Sequence, residues 1–206
     1  MKNKLLAGIL SAAMVLTMGA VPVMADTASD AAASVGSTNY STIQAAIDAV
    51  ADGTDTTVVL QADTTESVTI PAGKSIVLDL NGHKITNKSE NTIVNNGTLK
   101  ITGTGTVDNV SHQKAALVNC GTAVLDGGSF TRSMEAGKNS KDSGGNSYYT
   151  IENKGDMTIN SGVTVTTNSV AGGGFSSLVE NIGEKNSDLK GKQRRKFQRR
   201  TQCRKK

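Results

Sequence analysis

The sequence contains no tryptophan, and its aromatic residues make up only 3% of 206 positions. It contains only two prolines and two cysteines. A helical or α/β enzyme of this length would normally carry more aromatic and aliphatic bulk. Two cysteines exclude a framework of several disulfides, and no Cys/His spacing resembles a zinc site. The common residues are Thr, Gly, Asn, Val and Ile, which favour strands and turns.

A long apolar stretch occurs only near the N-terminus. Two lysines lie within residues 2–4, residues 5–19 are mostly apolar, and small residues lead up to Ala25. This pattern is typical of a secretory signal peptide, residues 1–25. No later segment has the roughly 20 apolar residues that a spanning helix needs. We therefore expect a chain that is cleaved near Ala25 and is then secreted or held at the cell surface.

Acidic residues outnumber basic ones in the body of the chain, whereas the end of the chain is strongly basic. Residues 26–189 hold ten Lys or Arg and eighteen Asp or Glu, a net charge of −8, whereas residues 190–206 hold ten Lys or Arg and no acid. The overall charge of +4 therefore does not predict a specific nucleic-acid partner. Residues 184–206 are predicted to be a basic, disordered tail that binds polyanions without specificity.

One phrase recurs along the middle of the chain: an apolar residue, any residue, Asn, any residue and Gly, followed by alternating apolar residues. Its asparagines are separated by 24, 34 and 28 positions, and they are Asn95, Asn119, Asn153 and Asn181. The fourth copy stops at Gly183, because Lys185 and Ser187 occupy its next apolar positions. Self-similarity at such periods predicts a solenoid.

The repeat predicts strands that stack in parallel on their copies one coil away. The fold is thus expected to be all-β, a right-handed parallel β-helix with a short N-terminal capping α-helix, and residues 56–183 are expected to form its rungs. Runs at 57–60, 67–70 and 76–80 read as early strands, with turns at 62–65, 71–73 and Asn81-Gly82. Three apolar columns should form, namely Ile93/Leu117/Ile151/Val179, Leu99/Ala123/Met157 and Ile101/Leu125/Ile159.

Residues 26–55 are predicted to hold a polar leader and the capping helix. Residues 26–38 are rich in Ala and Ser and are expected to be mobile. A helix over 41–51 follows, with Ser41 and Gln44 as a reciprocal capping box and Gly53 as its left-handed stop.

The repeated asparagine has two interpretations. Asn tolerates turn conformations, and stacked Asn amides can hydrogen-bond one another along the axis, so that Asn95, Asn119, Asn153 and Asn181 would form a structural ladder. The alternative is that they line a ligand groove. We favour the ladder.

The phrase, the capped helix Tyr40-Ser41-Thr42-Ile43-Gln44-Ala45-Ala46-Ile47 and the segment Leu78-Asp79-Leu80-Asn81-Gly82-His83-Lys84-Ile85 together resemble the pectate-lyase-like parallel β-helix superfamily. Within it the chain is most similar to adhesin-like secreted bacterial members. The resemblance covers residues 39–183. It implies the fold, whereas the activities of that superfamily range from lyases and glycosidases to non-catalytic surface proteins.

The resemblance also defines where a catalytic site would be sought. A lyase of this family needs an acidic calcium cluster and an Arg or Lys base, and Arg132, which opens the 132–147 insertion, is the only Arg before residue 190. Family glycosidases need paired carboxylates, for which Asp79, Asp108 and Asp126 are available. The motifs of the polygalacturonases are missing, so Arg132, Asp126 and Asp108 are weak candidates, with solvated or turn-capping roles favoured for the two aspartates.

Neither histidine has an obvious acidic partner, and His83 and His112 are read as surface residues. No cofactor or metal is expected from the residues themselves. Calcium is implied by the family resemblance alone.

The basic tail does not continue the repeat, and it has two readings. It is a native disordered arm, or it is the product of a reading-frame shift near residue 184. We favour the shift, because the triplet Gln-Arg-Arg occurs twice, at 193–195 and 198–200, and one base later its codons can read Ser-Gly-Gly. The chain would then be a truncated piece of a longer protein.

The sequence thus predicts a non-enzymatic secreted or cell-surface module, adhesin-like and binding polysaccharide or host glycans. The alternative is a fragment of a carbohydrate-active enzyme, a polysaccharide lyase or glycosidase of the same fold.

Overall fold

The structure, a computed structural model, describes residues 31–133, 148–167 and 178–182. Over these ranges the chain is mostly β-strand with one short helix, and it winds into a parallel β-solenoid of about four turns. The predicted signal peptide, residues 134–147 of the insertion and the basic tail lie outside the described residues.

The strands recur in five sets of three, which together make the roughly four turns of the solenoid. The described chain begins with β1 (Ala33–Val35), β2 (Thr38–Tyr40) and α1 (Ile43–Ala49). The sets that follow are β3 (Asp55–Leu60), β4 (Thr64–Thr65) and β5 (Val68–Ile70); β6 (Ser75–Asp79), β7 (Lys84–Asn87) and β8 (Ile93–Asn95); β9 (Thr98–Thr102), β10 (Thr106–Asn109) and β11 (Leu117–Asn119); β12 (Thr122–Leu125), β13 (Ser129–Arg132) and β14 (Ile151–Asn153); and β15 (Asp156–Ile159), β16 (Thr164–Thr167) and β17 (Val179–Asn181).

Each strand pairs in parallel with its equivalent one coil away, which produces three sheets. Sheet A runs β3-β6-β9-β12-β15, sheet B runs β4-β7-β10-β13-β16, and sheet C runs β5-β8-β11-β14-β17. The parallel β-helix predicted from the repeat is confirmed.

The register within the sheets matches the predicted apolar columns. Leu117 pairs with Ile93 and Ile151, and the column continues to Val179. The columns that contain Leu99 and Ile101 follow the same rule. Because side chains alternate along a strand, these residues all point into one shared core, where most are fully buried. Burial of each Leu or Ile contributes about 1.5–3 kcal/mol.

The N-terminal end of the solenoid is closed by a β-hairpin, and here the mobile-leader prediction is wrong for residues 31–38. β1 pairs antiparallel with both β2 and β3, and it places Ala33 opposite Leu60. Ala33 is fully buried. The open edge of β3 needs a hydrogen-bonding partner, and a small side chain fits the space beneath the first coil.

Helix α1 packs over the same end but is shorter than predicted. Its N-cap is Thr42, whose hydroxyl accepts from the amide of Ala45 at 3.0 Å, so the predicted Ser41–Gln44 capping box is wrong. The carboxylate of Glu66 accepts from the amides of Ile43 and Gln44. A negative charge at a helix N-terminus is stabilising, and it comes from the solenoid itself.

The side chain of Gln44 attaches the helix to sheet C. Its amide nitrogen donates to the carbonyl of Thr69 at 3.0 Å, and its oxygen accepts from the amide of Thr69 at 2.7 Å. The side-chain amide of Gln44 thereby provides hydrogen-bond partners for backbone groups at the open edge of β5, as a neighbouring strand would. The capping-box prediction could not foresee this role, because the partner is 25 residues away.

Two turn predictions have different outcomes. Asn81-Gly82 is a left-handed turn, with φ of 46° and 83°. The predicted turn at 62–65 instead contains β4, because Thr64 and Thr65 pair with Ile85 and Thr86. Gly53 has φ of 70°, but helix α1 ends before it, at Ala49, and Gly53 belongs to the turn that follows.

Candidate functional site

The four repeated asparagines form a continuous ladder inside the coil. Each amide nitrogen donates to the side-chain oxygen of the next asparagine, from Asn95 to Asn119 at 2.7 Å, from Asn119 to Asn153 at 2.7 Å and from Asn153 to Asn181 at 2.9 Å. Asn95, Asn119 and Asn153 are fully buried. Their side chains therefore face the core and not an external groove.

The glycine of the phrase allows the coils to stack closely. A Cβ on Gly121 would overlap the carbonyl oxygen of Gly97, and a Cβ on Gly155 would overlap that of Gly121. These contacts are with backbone, which cannot rotate away. The repeated Asn and Gly therefore belong to the same stacked turn, and the repeated phrase serves the structure of the coil.

Arg132, the candidate lyase base, lies inside the corner between sheets B and C. It alternates inward with Phe130 on β13, and it is fully buried. Its guanidinium donates to the carbonyl oxygens of Ser111 at 2.6 Å and Tyr148 at 3.2 Å. This environment suits a structural arginine that holds two loop backbones, and not a base that meets a polymer.

Asp108 is on the outer face of sheet B, yet its side chain is fully buried, so of its two predicted roles, solvated or turn-capping, the solvated one is wrong. Nζ of Lys84 lies 2.8 Å from Oδ2 of Asp108. The amide of Ser133 donates to Oδ1 of Asp108, and the hydroxyl of Ser133 donates to Oδ2. Asp108 therefore holds the start of the 132–147 insertion, which is a capping role.

Asp126 is exposed and directly follows β12, a strand of sheet A that is flanked by β9 and β15. Hydrogen bonds from Lys100, at 2.9 Å, and from Asn160 lower the pKa of its carboxyl. A carboxylate held in its charged form is a poor proton donor. Asp126, Asp108 and Arg132 have separate partners, and the structure does not assemble them into one site.

Of the two histidines, His83 has an acidic neighbour after all. Its Nδ1 lies 3.4 Å from Oδ1 of Asp63, a side chain that is largely exposed. Asp79, the remaining carboxylate considered above, accepts from the amide of Asn81 and caps that turn.

A different cluster occupies the outer face of sheet C, and the sequence reasoning missed it. Glu152 on β14 pairs in register with Glu180 on β17, so that the two side chains project from neighbouring strands about 4.8 Å apart. Tyr148 donates to Oε2 of Glu152 at 3.1 Å, and Tyr149 hydrogen-bonds Glu180. Lys154 lies 2.9 Å from Oε1 of Glu152. We call these five residues the Tyr–Glu cluster.

The two carboxylates of the cluster differ in their environments. Glu152 has a lysine and a tyrosine hydroxyl beside it, and it is 7% exposed. Burial raises the pKa of Glu180, and the like charge of Glu152 adds to this effect. The hydrogen bond to Glu180 raises the pKa of Tyr149 to about 12, and burial raises that of Tyr148, so both phenols remain protonated donors.

The tyrosine rings lie side by side on this face, with centroids 5.3 Å apart and planes at 59°. A tyrosine pair of this kind offers apolar ring surface next to polar groups, a combination that binds amphipathic ligands.

The signal for this cluster is present in the repeat. The variable residue before Asn is Val94 and then Val118 in the first two copies, but it is Glu152 and Glu180 in the next two. That position faces outward. The change from Val to Glu on two successive coils, next to the pair Tyr148-Tyr149, indicates that this part of the outer surface has a role other than stacking the coils.

The described residues contain no group of three or more His, Cys, Asp or Glu side chains placed to hold a metal ion. Nor does any helix in the described ranges have the length and apolar character needed to cross a membrane.

Comparison of the chain with protein-family models, with curated proteins and with solved structures finds no match.

Proposed function

We propose that this chain is a non-enzymatic secreted or cell-surface β-helix module that binds polysaccharide or glycans through the Tyr–Glu cluster. The observation that carries the proposal is the combination of two adjacent tyrosine rings with two in-register carboxylates on one outer sheet face.

The chemistry of sugars matches that combination. A pyranose ring has apolar C–H faces that pack on aromatic rings, and it has hydroxyls at its rim that hydrogen-bond carboxylates. Glu152 and Glu180 accept hydrogen bonds, while the phenols and Lys154 donate them. The parallel strands hold these groups on regular backbone, which keeps the surface rigid before the ligand arrives.

The adhesin-like, pectate-lyase-like membership is part of the same proposal. Its supports are the parallel coil and the motifs that carry the resemblance. The secreted location rests on the N-terminal pattern of charge and apolar residues.

The environments of the earlier catalytic candidates favour binding over catalysis. Arg132 is committed to backbone carbonyls, and Asp126 is held charged by Lys100. The alternative is a carbohydrate-active enzyme fragment. Glu152 and Glu180, which lie in register on neighbouring strands, would be the carboxylate pair of such an enzyme.

A glycan array probed with the full chain tests this proposal. We expect binding to a subset of glycans, and Tyr149→Ala should weaken it at least tenfold, as loss of a central aromatic contact does. Thr131→Ala, on the outer face of sheet B, is the control and should bind as the wild type does.

The same glycans should be recovered intact. New reducing ends released by the wild-type chain and not by Glu152→Gln would replace the binding proposal with the enzyme alternative. Unchanged binding by Tyr149→Ala would show that the cluster is not the site.

A further inference from the structure

The charges in the Tyr–Glu cluster are not balanced. Glu152 has Lys154 at 2.9 Å, but within the described ranges no Lys, Arg or His forms an ion pair with Glu180. Glu180 has the hydroxyl of Tyr149 as a partner, which is a neutral donor. Two carboxylates and one ammonium leave a net negative charge on a partly buried surface.

We infer that the Tyr–Glu cluster binds an amino sugar, with Glu180 as the counter-ion of the sugar's protonated amine. The inference rests on the proposed glycan-binding function and names the class of glycan. The rings of Tyr148 and Tyr149 would lie against the sugar and near its amine.

A cationic ligand group would stabilise the ionised form of Glu180. Burial and the neighbouring charge of Glu152 oppose its ionised form more than the hydroxyl of Tyr149 and the charge of Lys154 favour it, and the pKa of Glu180 is therefore raised. An ammonium group next to the carboxylate offsets both effects and forms a charge-assisted hydrogen bond. Tyrosine faces also attract cations through their negative π-surface.

An anionic sugar is disfavoured by the same geometry. A uronate would bring a third carboxylate to Glu152 and Glu180, with Lys154 as the one positive group of the cluster. The cluster therefore separates amino sugars from uronate polymers by charge.

Calorimetric titration of the full chain with matched oligosaccharides tests the inference. The probes are the β-1,4-linked hexamer of glucosamine, its fully N-acetylated counterpart and a galacturonate hexamer, at a pH where the amine is protonated. The glucosamine hexamer should bind at least tenfold more tightly than the N-acetylated hexamer. Binding of the galacturonate hexamer, which the basic residues 190–206 attract, should not change in Glu180→Gln.

Glu180→Gln should reduce the preference for the glucosamine hexamer over the N-acetylated hexamer to less than about threefold, since the amide keeps the shape of the side chain and removes its charge. Asp126→Asn removes one negative charge elsewhere on the outer surface and should keep the full preference. Removal of a desolvated charge does not threaten folding, and circular dichroism of both variants confirms that they are folded.

The outcomes separate the two proposals. Equal affinity of the wild type for the two β-1,4-linked hexamers overturns the amino-sugar inference and leaves glycan binding intact. An equal loss of preference in Asp126→Asn and Glu180→Gln also overturns it, because a general acidic field would then explain the result. Binding to no glycan on the array, this hexamer included, removes the proposed function and the inference together.

Discussion

Replacing Asn119 by Ala should destabilise the solenoid more than any surface change in the same phrase. Asn119 is fully buried, and its amide nitrogen donates to Oδ1 of Asn153 at 2.7 Å and to the carbonyl of Asp156 at 2.9 Å. Its oxygen accepts from Asn95 at 2.7 Å. Three hydrogen bonds at roughly 1 kcal/mol each predict a loss of about 3 kcal/mol.

Asn96→Ala is the matched control, because Asn96 belongs to the same repeated phrase but is exposed. We expect it to change the free energy of unfolding by no more than about 0.5 kcal/mol. Urea unfolding followed by far-UV circular dichroism measures both values. At a slope of about 2 kcal/mol per molar urea, the Asn119→Ala midpoint should fall by about 1.5 M.

An Asn119→Ala midpoint within about 0.3 M of the control would refute this reasoning. It would mean that the ladder accompanies stacking without contributing to it. Asn119→Asp provides a second check, since it keeps the volume but places a charged acceptor opposite the acceptors that Asn119 now serves. It should be at least as destabilising as the Ala variant.

Three further changes test other parts of the molecule. Gly121→Ala should lower the free energy of unfolding, measured in urea, by roughly 1–3 kcal/mol, because the added methyl group would overlap the carbonyl oxygen of Gly97. A free energy of unfolding equal to that of the wild type would contradict the close approach of the two coils. Gln44→Ala should speed hydrogen exchange at the Thr69 amide and leave exchange in the later coils unchanged. The raised pKa of Glu180 means that the folded state holds the proton more tightly. Wild-type stability should therefore decline as pH rises through that pKa, and this decline should be smaller in Glu180→Gln, as thermal melts across pH would show.

The coil was predictable because identical positions must stack on identical positions. Once the phrase was aligned, the register of Leu117 with Ile93 and Ile151 followed without further information. The alternation of side chains then assigned the inward and outward faces.

The N-terminal cap was not predictable in the same way, because its contacts are not repeated. Local rules placed the helix cap at Ser41, whereas the helix receives the carboxylate of Glu66 and begins after Thr42. The Ala- and Ser-rich sequence around Ala33 predicts a mobile segment, because these residues have low strand preference. Its strand forms because the edge of β3 would otherwise have unpaired backbone groups, and this tertiary contact has no local sequence signal.

The candidate site was missed for a chemical reason. The family resemblance emphasises Arg and Asp residues, but Arg132 and Asp108 have structural roles. The informative residues were the glutamates at a variable position of a scaffold phrase. Their importance depends on the register that brings Glu152 next to Glu180 and on the tyrosines beside them.

The central claim is that the Tyr–Glu cluster is a glycan-binding surface, and NMR of tyrosine rings tests it most directly. The chain has three tyrosines, of which Tyr148 and Tyr149 lie in the cluster and Tyr40 lies in the N-terminal hairpin. Titration of ring-labelled protein with the glucosamine hexamer should shift two ring signals, assigned by Tyr148→Phe and Tyr149→Phe, and leave that of Tyr40 in place. Binding that leaves the rings of Tyr148 and Tyr149 unshifted, or that shifts Tyr40 alone, would contradict the claim.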